Sequence, residues 1–230
     1  FHFLFDWDWT SAEKKLKRGI ELDPHNVWAH TWYSAFLIGM RRFDDAYKEG
    51  IIALEIEPLS PILNALAGNA ISFVNRDKGR KQLEKAIEME PNLALAHLWV
   101  AWSYMYPEAL YEKAIEHLQT AVNLGMTHAL GWLGLAYGLS DKKEEALKTL
   151  KQLDELSEAR YVSFHQRSLV YSGLGMYDRA FEYLEKACSK REPFLVYFWI
   201  ETPSVLPKSF RMDMRYKTLR KKVFPEFENT

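Results

Sequence analysis

The chain has 230 residues, of which 48% are apolar and 27% are charged; this is ordinary globular usage and excludes a largely disordered protein. Thirty Lys and Arg residues against 31 Asp and Glu residues leave a formal charge of -1, so no overall field attracts the chain to nucleic acid or anionic lipid. No run of residues approaches the roughly 18 uncharged apolar residues of a membrane-spanning helix.

The first residues, FHFLFDWDW, show neither the charged start, the long apolar core nor the cleavage site of a signal peptide, and there is no initiating Met. The one cysteine, Cys188, cannot form an internal disulfide or a thiolate metal cluster. We therefore expect a chain that begins at a cut edge within a longer protein and that folds in the cytoplasm.

Prolines recur at Pro24, Pro58 and Pro91, with spacings of 34 and 33 residues. The runs that end at them are AEKKLKRGIELDP, AYKEGIIALEIEP and GRKQLEKAIEMEP. Each run begins with Ala or Gly and continues with apolar residues at helical spacing, while charged residues fill the other side. The pattern predicts three helices, each of which stops at its proline.

The same spacing continues without the proline in YEKAIEHLQTAV, KEEALKTLKQL and YDRAFEYLEKA, which begin at Tyr111, Lys143 and Tyr177. The preceding segments repeat as well, because AHTW at 29–32 returns as AHLW at 96–99. This register predicts a series of helix pairs, with the two repeated histidines packed between the helices of a pair.

The series resembles the tetratricopeptide repeat family. The resemblance rests on the aromatic-x-x-Ala entry to the second helix at 43–46, 111–114 and 177–180, on the Leu-x-x-Ala ladder and on the closing Pro. It implies an all-α, right-handed α-solenoid of antiparallel helix pairs with a C-terminal cap. The expected array covers residues 1–193, as a partial unit 1–25 and units of about 27–59, 60–92, 94–127, 128–160 and 161–193, followed by a C-terminal extension and capping helix at 194–230.

Some units depart from the family pattern. The third unit has Gly79 where Ala is usual, the fourth has an extra residue at Tyr106-Pro107, and later units end in Gly125 or Glu158 rather than Pro. A repeat cannot bury its inner face alone, so the incomplete first unit implies further sequence upstream.

A narrower resemblance concerns the larger protein. The block WDWTSAEKKLKRGIELDP, the later LSP at 59–61 and the ending FRMDMRYKTLRKKV are similar to arrays at the C-terminus of bacterial and archaeal signalling and transcription-regulator proteins.

After Pro193 an apolar run, PFLVYFWI, is followed by a proline-bounded loop and a short amphipathic helix. We expect Phe210, Met214, Leu219 and Val223 to lie against the last repeat as a cap. Residues 208–222 carry a local charge of +6, which we interpret as the solvated face of this cap; contact with phosphate or an acidic partner is the alternative.

The titratable residues show no pattern typical of an active site. The seven histidines include no HExxH motif and no i, i+4 pair, so no metal is expected. The glycines at 123–134 and 172–178 lack the strand and the spacing of a nucleotide-binding loop. Cys188 has basic neighbours but no adjacent His, which favours an inert thiol. We predict no enzyme activity and no cofactor.

In the tetratricopeptide family the first helix of each pair lines the concave face and contacts the ligand. Carried over by position, the expected groove residues are Trp28, Thr31, Ala35, Ile38, Asn64, Gly68, Ile71, Leu98, Trp102, Met105, Gly131, Leu135, His165, Leu169 and Ser172. Trp32, Trp99 and Trp132 are expected to pack in the interior instead, because of their repeated register.

The resemblance implies a protein–protein interaction scaffold that binds a polypeptide segment in its concave groove. The alternative is an intramolecular regulatory module whose groove docks a catalytic or DNA-binding part of the same longer chain. Members that dock chaperones hold a terminal carboxylate with several cations, whereas only Asn64 is suitable here. We expect apolar or aromatic partner segments, no nucleic acid, no membrane and no binding of acidic chaperone tails.

Overall fold

The computed structural model describes residues 6–193, 195–201 and 205–224. Every regular element among these residues is an α-helix, so the predicted all-α fold is confirmed. The chain divides after Ser103, within the sixth helix, into two compact units. The handedness of the array stays a prediction.

Unit 1 is built from the first helices of the chain. They are α1 (Trp9–Leu22), α2 (Val27–Gly39), α3 (Phe43–Ile56), α4 (Pro61–Val74), α5 (Arg76–Met89) and the beginning of α6 (Ala94–Met105). Successive helices pack against each other from α1 to α5, and α2 also contacts α4. Unit 1 is therefore a stack of antiparallel helix pairs.

Unit 2 continues with the end of α6 and eight further helices. They are α7 (Tyr111–Asn123), α8 (Ala129–Leu139), α9 (Lys143–Ala159), α10 (Phe164–Gly173), α11 (Tyr177–Ser189), α12 (Leu195–Glu201), α13 (Lys208–Met212) and α14 (Met214–Val223). Here α8 packs on α7, α9 and α10, and α10 packs on α11.

Helix starts follow local capping chemistry. The side chains of Asp8, Asn26 and Asn75 each accept a hydrogen bond from the backbone N–H three residues later, at 3.0 Å in each case. Pro61 occupies the first turn of α4, where the missing N–H costs nothing. The helices α1, α3 and α5 end two residues before their prolines, as the sequence predicts.

In unit 1 each proline that follows a second helix is tied to the next first helix. The side chains of His30, Asn64 and His97 each donate to the carbonyl oxygen of the proline six residues earlier, with N···O distances of 3.0, 2.9 and 3.0 Å. The predicted packing role of the two histidines is therefore confirmed. Asn64, which the sequence assigned to the groove, performs the same role.

The C-terminal helices cover α11. Phe210 is fully buried and stacks on Phe181, with ring centroids 4.4 Å apart, while Leu219 and Val223 are also buried. The guanidinium of Arg215 lies 4.3 Å from the Phe181 centroid and binds Asp178. Met214, expected to join this contact, is 71% exposed, because the predicted single helix breaks at Asp213, which caps α14.

Gly79 marks the tightest crossing between α4 and α5. A Cβ built on it would lie 2.1 Å from Ser72 Oγ and 2.5 Å from the Ser72 backbone nitrogen. Backbone cannot yield as the end of a flexible side chain can. The unusual Gly at this repeat position is therefore required by the approach of the two helices.

We predict that Gly79→Ala lowers the free energy of unfolding by about 1–3 kcal/mol through overpacking. Gly19→Ala is the matched control, since a Cβ there meets only Ala29 Cβ at 3.8 Å. That control is expected to gain about 0.5–1 kcal/mol from helix propensity. Urea unfolding followed by circular dichroism measures both, and equal behaviour of the two variants would contradict the crossing geometry.

Candidate binding surfaces

Most of the predicted groove residues lie in the interior. Thirteen of the fifteen are not glycine, and of these Ser172 and nine others are less than 7% exposed. The nine others are Thr31, Ile38, Asn64, Ile71, Leu98, Met105, Leu135, His165 and Leu169. The assignment needs correction at these positions, because a side chain enclosed by its own fold is not presented to a ligand.

The contacts of these residues give the physical reason. Thr31 Oγ1 donates to Val27 O at 2.8 Å on its own helix, and Asn64 Nδ2 donates to Ser60 O at 2.8 Å while its Oδ1 accepts from Gln82. Gly68 and Gly131 are buried where helices approach closely. Ser172 is also buried, and its hydroxyl donates to Ser168 O.

Three of the predicted residues remain accessible: Trp28, Ala35 and Trp102. Trp28 is 49% exposed, and Trp32, which was expected in the interior, is also 49% exposed. The accessible stripe of α2 therefore runs through positions 28, 32 and 35 rather than 28, 31, 35 and 38. Trp132, by contrast, is 2% exposed, which agrees with its predicted packing role.

The same stripe recurs on the other first helices of unit 1. At four and eight residues after each proline, α2 carries Trp28 and Trp32, α4 carries Ile62 and Leu66, and α6 carries Leu95 and Trp99. All six side chains are partly or largely exposed. We call these six residues the apolar strip.

Charge is absent from the helices that carry the apolar strip. The sequences of α2, α4 and α6 contain no Asp, Glu, Lys or Arg. Charged residues concentrate on the second helices, where Glu13, Lys17 and Arg42 form an exposed ion-pair cluster near α1. The apolar strip therefore lies on helices without Asp, Glu, Lys or Arg.

A buried polar cluster organises unit 2 around Glu192, which is 1% exposed. Its carboxylate accepts hydrogen bonds from Tyr161 OH at 2.6 Å, from His165 Nδ1 at 2.8 Å and from the backbone N–H groups of Phe164 and His165. These two N–H groups open α10, whose own Ser163 supplies no side-chain cap. Glu192 thus caps α10 from 27 residues further along the chain.

The electrostatics of this cluster favour a charged Glu192. Burial acts to raise the pKa of Glu192, but hydrogen bonds from His165, Tyr161 and Phe164 outweigh it, so the pKa lies below its usual value. The neighbouring His128 ring lies 5.1 Å from the His165 ring, and burial, together with the proximity of this second imidazole, lowers the pKa of His128 to about 3. His128 is therefore neutral at physiological pH.

Cys188 is buried on α11, and burial raises the pKa of its thiol to about 12. The charge of Lys222 acts to lower this pKa, but burial outweighs it. The thiol stays protonated at neutral pH, which makes it a poor nucleophile.

The described part of the chain contains no group of three or more His, Cys, Asp or Glu residues placed to hold a metal ion. Within the same residues, no helix has the length and apolar content needed to cross a membrane.

Comparison with known proteins supports the resemblance found in the sequence. Residues 127–160 and 161–189 match the tetratricopeptide repeat family. The chain is also 28% identical over 95 residues to a TPR repeat-containing protein of Methanocaldococcus jannaschii. That match covers 40% of this chain but only 17% of the relative.

Solved structures share the fold. The structure of PilW, a widely conserved type IV pilus biogenesis factor, superposes with a TM-score of 0.62 at 17% identity, over 95% of this chain and 94% of PilW. The structure of MamA gives a TM-score of 0.51 at 22% identity, over 68% of this chain and 94% of MamA. These similarities establish that the array of helix pairs shares the fold of these two proteins.

Sequence reasoning missed Trp32 and Glu192. The apolar character of the eighth residue after each proline was a signal for the first, since Trp, Leu and Trp occupy it in successive units. No local signal identified Glu192, because its partners lie 27 to 31 residues away.

We predict that Glu192→Gln lowers the free energy of unfolding at pH 7 by about 1–3 kcal/mol, since an amide cannot accept all these hydrogen bonds. Because the folded pKa of Glu192 is depressed, its stabilisation is present above the ordinary value of 4.5 and is lost as the pH falls through the folded pKa. The difference from wild type should therefore shrink in acid. Denaturant unfolding from pH 7 to pH 3 measures this difference.

The control for this experiment is Glu185→Gln on the exposed side of α11. It is expected to change stability by less than about 0.5 kcal/mol. A Glu192→Gln variant that matches this control at pH 7 would show that the buried carboxylate does not hold α10.

Proposed function

We propose that this protein binds a segment of another polypeptide through the apolar strip of unit 1. The observation that carries the proposal is the pair Trp28 and Trp32, each 49% exposed and one helical turn apart on α2. About half of each indole side chain remains in contact with water, so a partner that covered these rings would gain the free energy of burying apolar surface. Partner contact would recover roughly 25 cal/mol for each Å² of apolar surface removed from water.

The arrangement of the strip supports an extended contact. The helices α2 and α4 pack against each other, and the partly buried Ile62 and Leu66 of α4 contact a cluster that includes Val27, the residue before Trp28. Several modest apolar contacts on successive repeats add to a useful affinity without a deep pocket. Tryptophan is also the residue type most enriched among side chains that dominate binding energy.

The absence of charged residues from α2, α4 and α6 determines the kind of segment that fits. A terminal carboxylate would lose its hydration here and gain no cation in return. A segment that presents leucine, phenylalanine or other apolar side chains suits the strip better. Binding of that kind depends little on salt, because ion pairs contribute little.

The segment could also belong to the same polypeptide. The archaeal relative is much longer than the part that matches this chain, so an array of this kind can occur inside a large protein. In that case the strip serves as an intramolecular regulatory surface within a signalling or regulatory protein. The single buried cysteine suits the cytoplasm, which we include in the proposal.

The test uses the uncharged peptide LQQLLQQFLQQLLQ, acetylated and amidated, whose apolar residues share one helical face. We predict that it binds the wild-type chain and that Trp28→Ala combined with Trp32→Ala weakens binding at least about tenfold, or 1.4 kcal/mol. Fluorescence anisotropy of the labelled peptide, at about 0.05 M and about 0.5 M salt, measures affinity and its salt dependence.

A variant combining Leu22→Ala and Leu59→Ala is the matched control, because it removes exposed apolar area elsewhere in unit 1; these residues are 69% and 84% exposed. It should bind the peptide like wild type. Equal losses in both variants, or equal binding of a scrambled peptide of the same composition, would mean that the strip is not the binding surface.

A further inference from the structure

Unit 2 contains a cavity that lies apart from the apolar strip. It has a volume of about 350 Å³. It lies between the end of α9, the first half of α10 and the second half of α11. Its walls are formed by Arg160, Tyr161, Phe164, Arg167, Tyr183 and Lys186, together with Asp154, Ser157 and Val162. We call it the α9–α11 pocket.

Arg167 forms a rigid positive wall of this pocket. Its side chain is only 7% exposed, and it is held by two hydrogen bonds, from Nε to Asp154 Oδ1 at 2.8 Å and from Nη2 to Leu153 O at 2.9 Å. Neither bond uses Nη1, for which no acceptor occurs among the described residues. A guanidinium held in this orientation can donate hydrogen bonds from Nη1 to an anion that enters the pocket.

Two further cations lie at the pocket with their charges near solvent. Arg160 is exposed and makes no side-chain hydrogen bond or ion pair with the residues that the structure describes. Lys186 Nζ is 2.8 Å from Glu182, which lies outside the pocket lining. Against these three cations the lining contributes one carboxylate, that of Asp154, which Arg167 already engages.

Aromatic rings form the rest of the lining. Tyr183 stacks on Tyr171 at 5.6 Å and lies 6.3 Å from Phe164. The Tyr183 ring is also approached by Lys186, with Nζ 4.8 Å from the ring centroid. The pocket therefore offers cations beside aromatic faces, within a volume near the lower end of ligand-binding cavities.

We propose that the α9–α11 pocket is a second binding site, which takes an acidic polypeptide segment that carries an aromatic side chain next to its carboxylates. The carboxylates bind Arg160, Lys186 and the free edge of Arg167, and the aromatic ring packs on Phe164 and Tyr183. The charge complementarity is local, since the chain as a whole carries a charge of -1. This site uses side-chain carboxylates and does not depend on the apolar strip.

The test uses the peptide DEFDEFDE, acetylated and amidated so that all its carboxylates are on side chains, and the neutral counterpart NQFNQFNQ. We expect the acidic peptide to bind with an affinity that falls at least about tenfold between about 0.05 M and about 0.5 M salt, while the neutral peptide binds at least about tenfold more weakly. Inorganic phosphate is added as a competitor. Displacement of the acidic peptide by millimolar phosphate would replace the proposal by a simple anion site.

Matched variants separate the pocket from general surface charge. Lys186 and Arg179 both pair with Glu182, but only Lys186 lines the pocket. Lys186→Gln and Arg160→Gln should each weaken the acidic peptide about tenfold. Arg179→Gln on α11 and Lys151→Gln on α9 should leave its affinity within about twofold.

Equal effects of pocket and control variants, or equal binding of the two peptides, would overturn the proposal. The combined Trp28→Ala and Trp32→Ala variant should bind the acidic peptide like wild type. This result distinguishes the two surfaces, because failure of the apolar strip leaves the acidic-peptide titration unaffected.

Discussion

The stacking of unit 1 depends on the carbonyl oxygen of the proline that follows each second helix. Proline ends the helix and leaves that carbonyl without a helical partner. The three prolines are exposed, whereas the side chains of His30, Asn64 and His97 are buried, and a buried donor without an acceptor is costly. These side chains donate to the proline carbonyls from the next first helix at 2.9–3.0 Å. The connection between helix pairs and the rotation of each first helix are therefore fixed by the same bond.

Unit 2 has the converse arrangement, in which a side-chain carboxylate accepts hydrogen bonds from backbone N–H groups at a helix start. Glu192 follows α11 and reaches back to the start of α10, where it accepts from two backbone N–H groups and two side chains. An ionised group makes stronger hydrogen bonds than a neutral carbonyl. Because these hydrogen bonds favour the ionised carboxylate, as the lowered pKa of Glu192 indicates, protonation of Glu192 in acid weakens the contact between α10 and the end of α11. In unit 1 the acceptors shared by the three joints are proline carbonyls, and at the first joint His30 Nδ1 also contacts the Glu49 carboxylate at 2.6 Å.

The sequence predicted the helices better than their rotation. The spacing of the prolines and the helical spacing of the apolar residues before them predict α1, α3 and α5, because both patterns repeat along the chain. The AHTW and AHLW segments repeat both His and Trp, and periodicity alone does not say which of the two faces inward. The imidazole of His30 is buried because it donates a hydrogen bond to the carbonyl oxygen of Pro24. Trp32, two residues later on the helix, then faces outward and is exposed. Glu192 and the α9–α11 pocket depend on contacts across many residues, which no local pattern records.

The two kinds of helix divide the chemistry of recognition between them. A first helix such as α2, α4 or α8 is enclosed by neighbours on most sides, so a charge there would lose hydration, and these helices contain none. A second helix such as α9 or α11 has one face in water and carries Lys, Glu and Arg freely. Apolar ligands therefore suit the exposed stripe of first helices, whereas a charged ligand must approach the second helices. Arg167 is an exception among the first helices, because it lies on α10 and its Nε donates to Asp154 of the second helix α9.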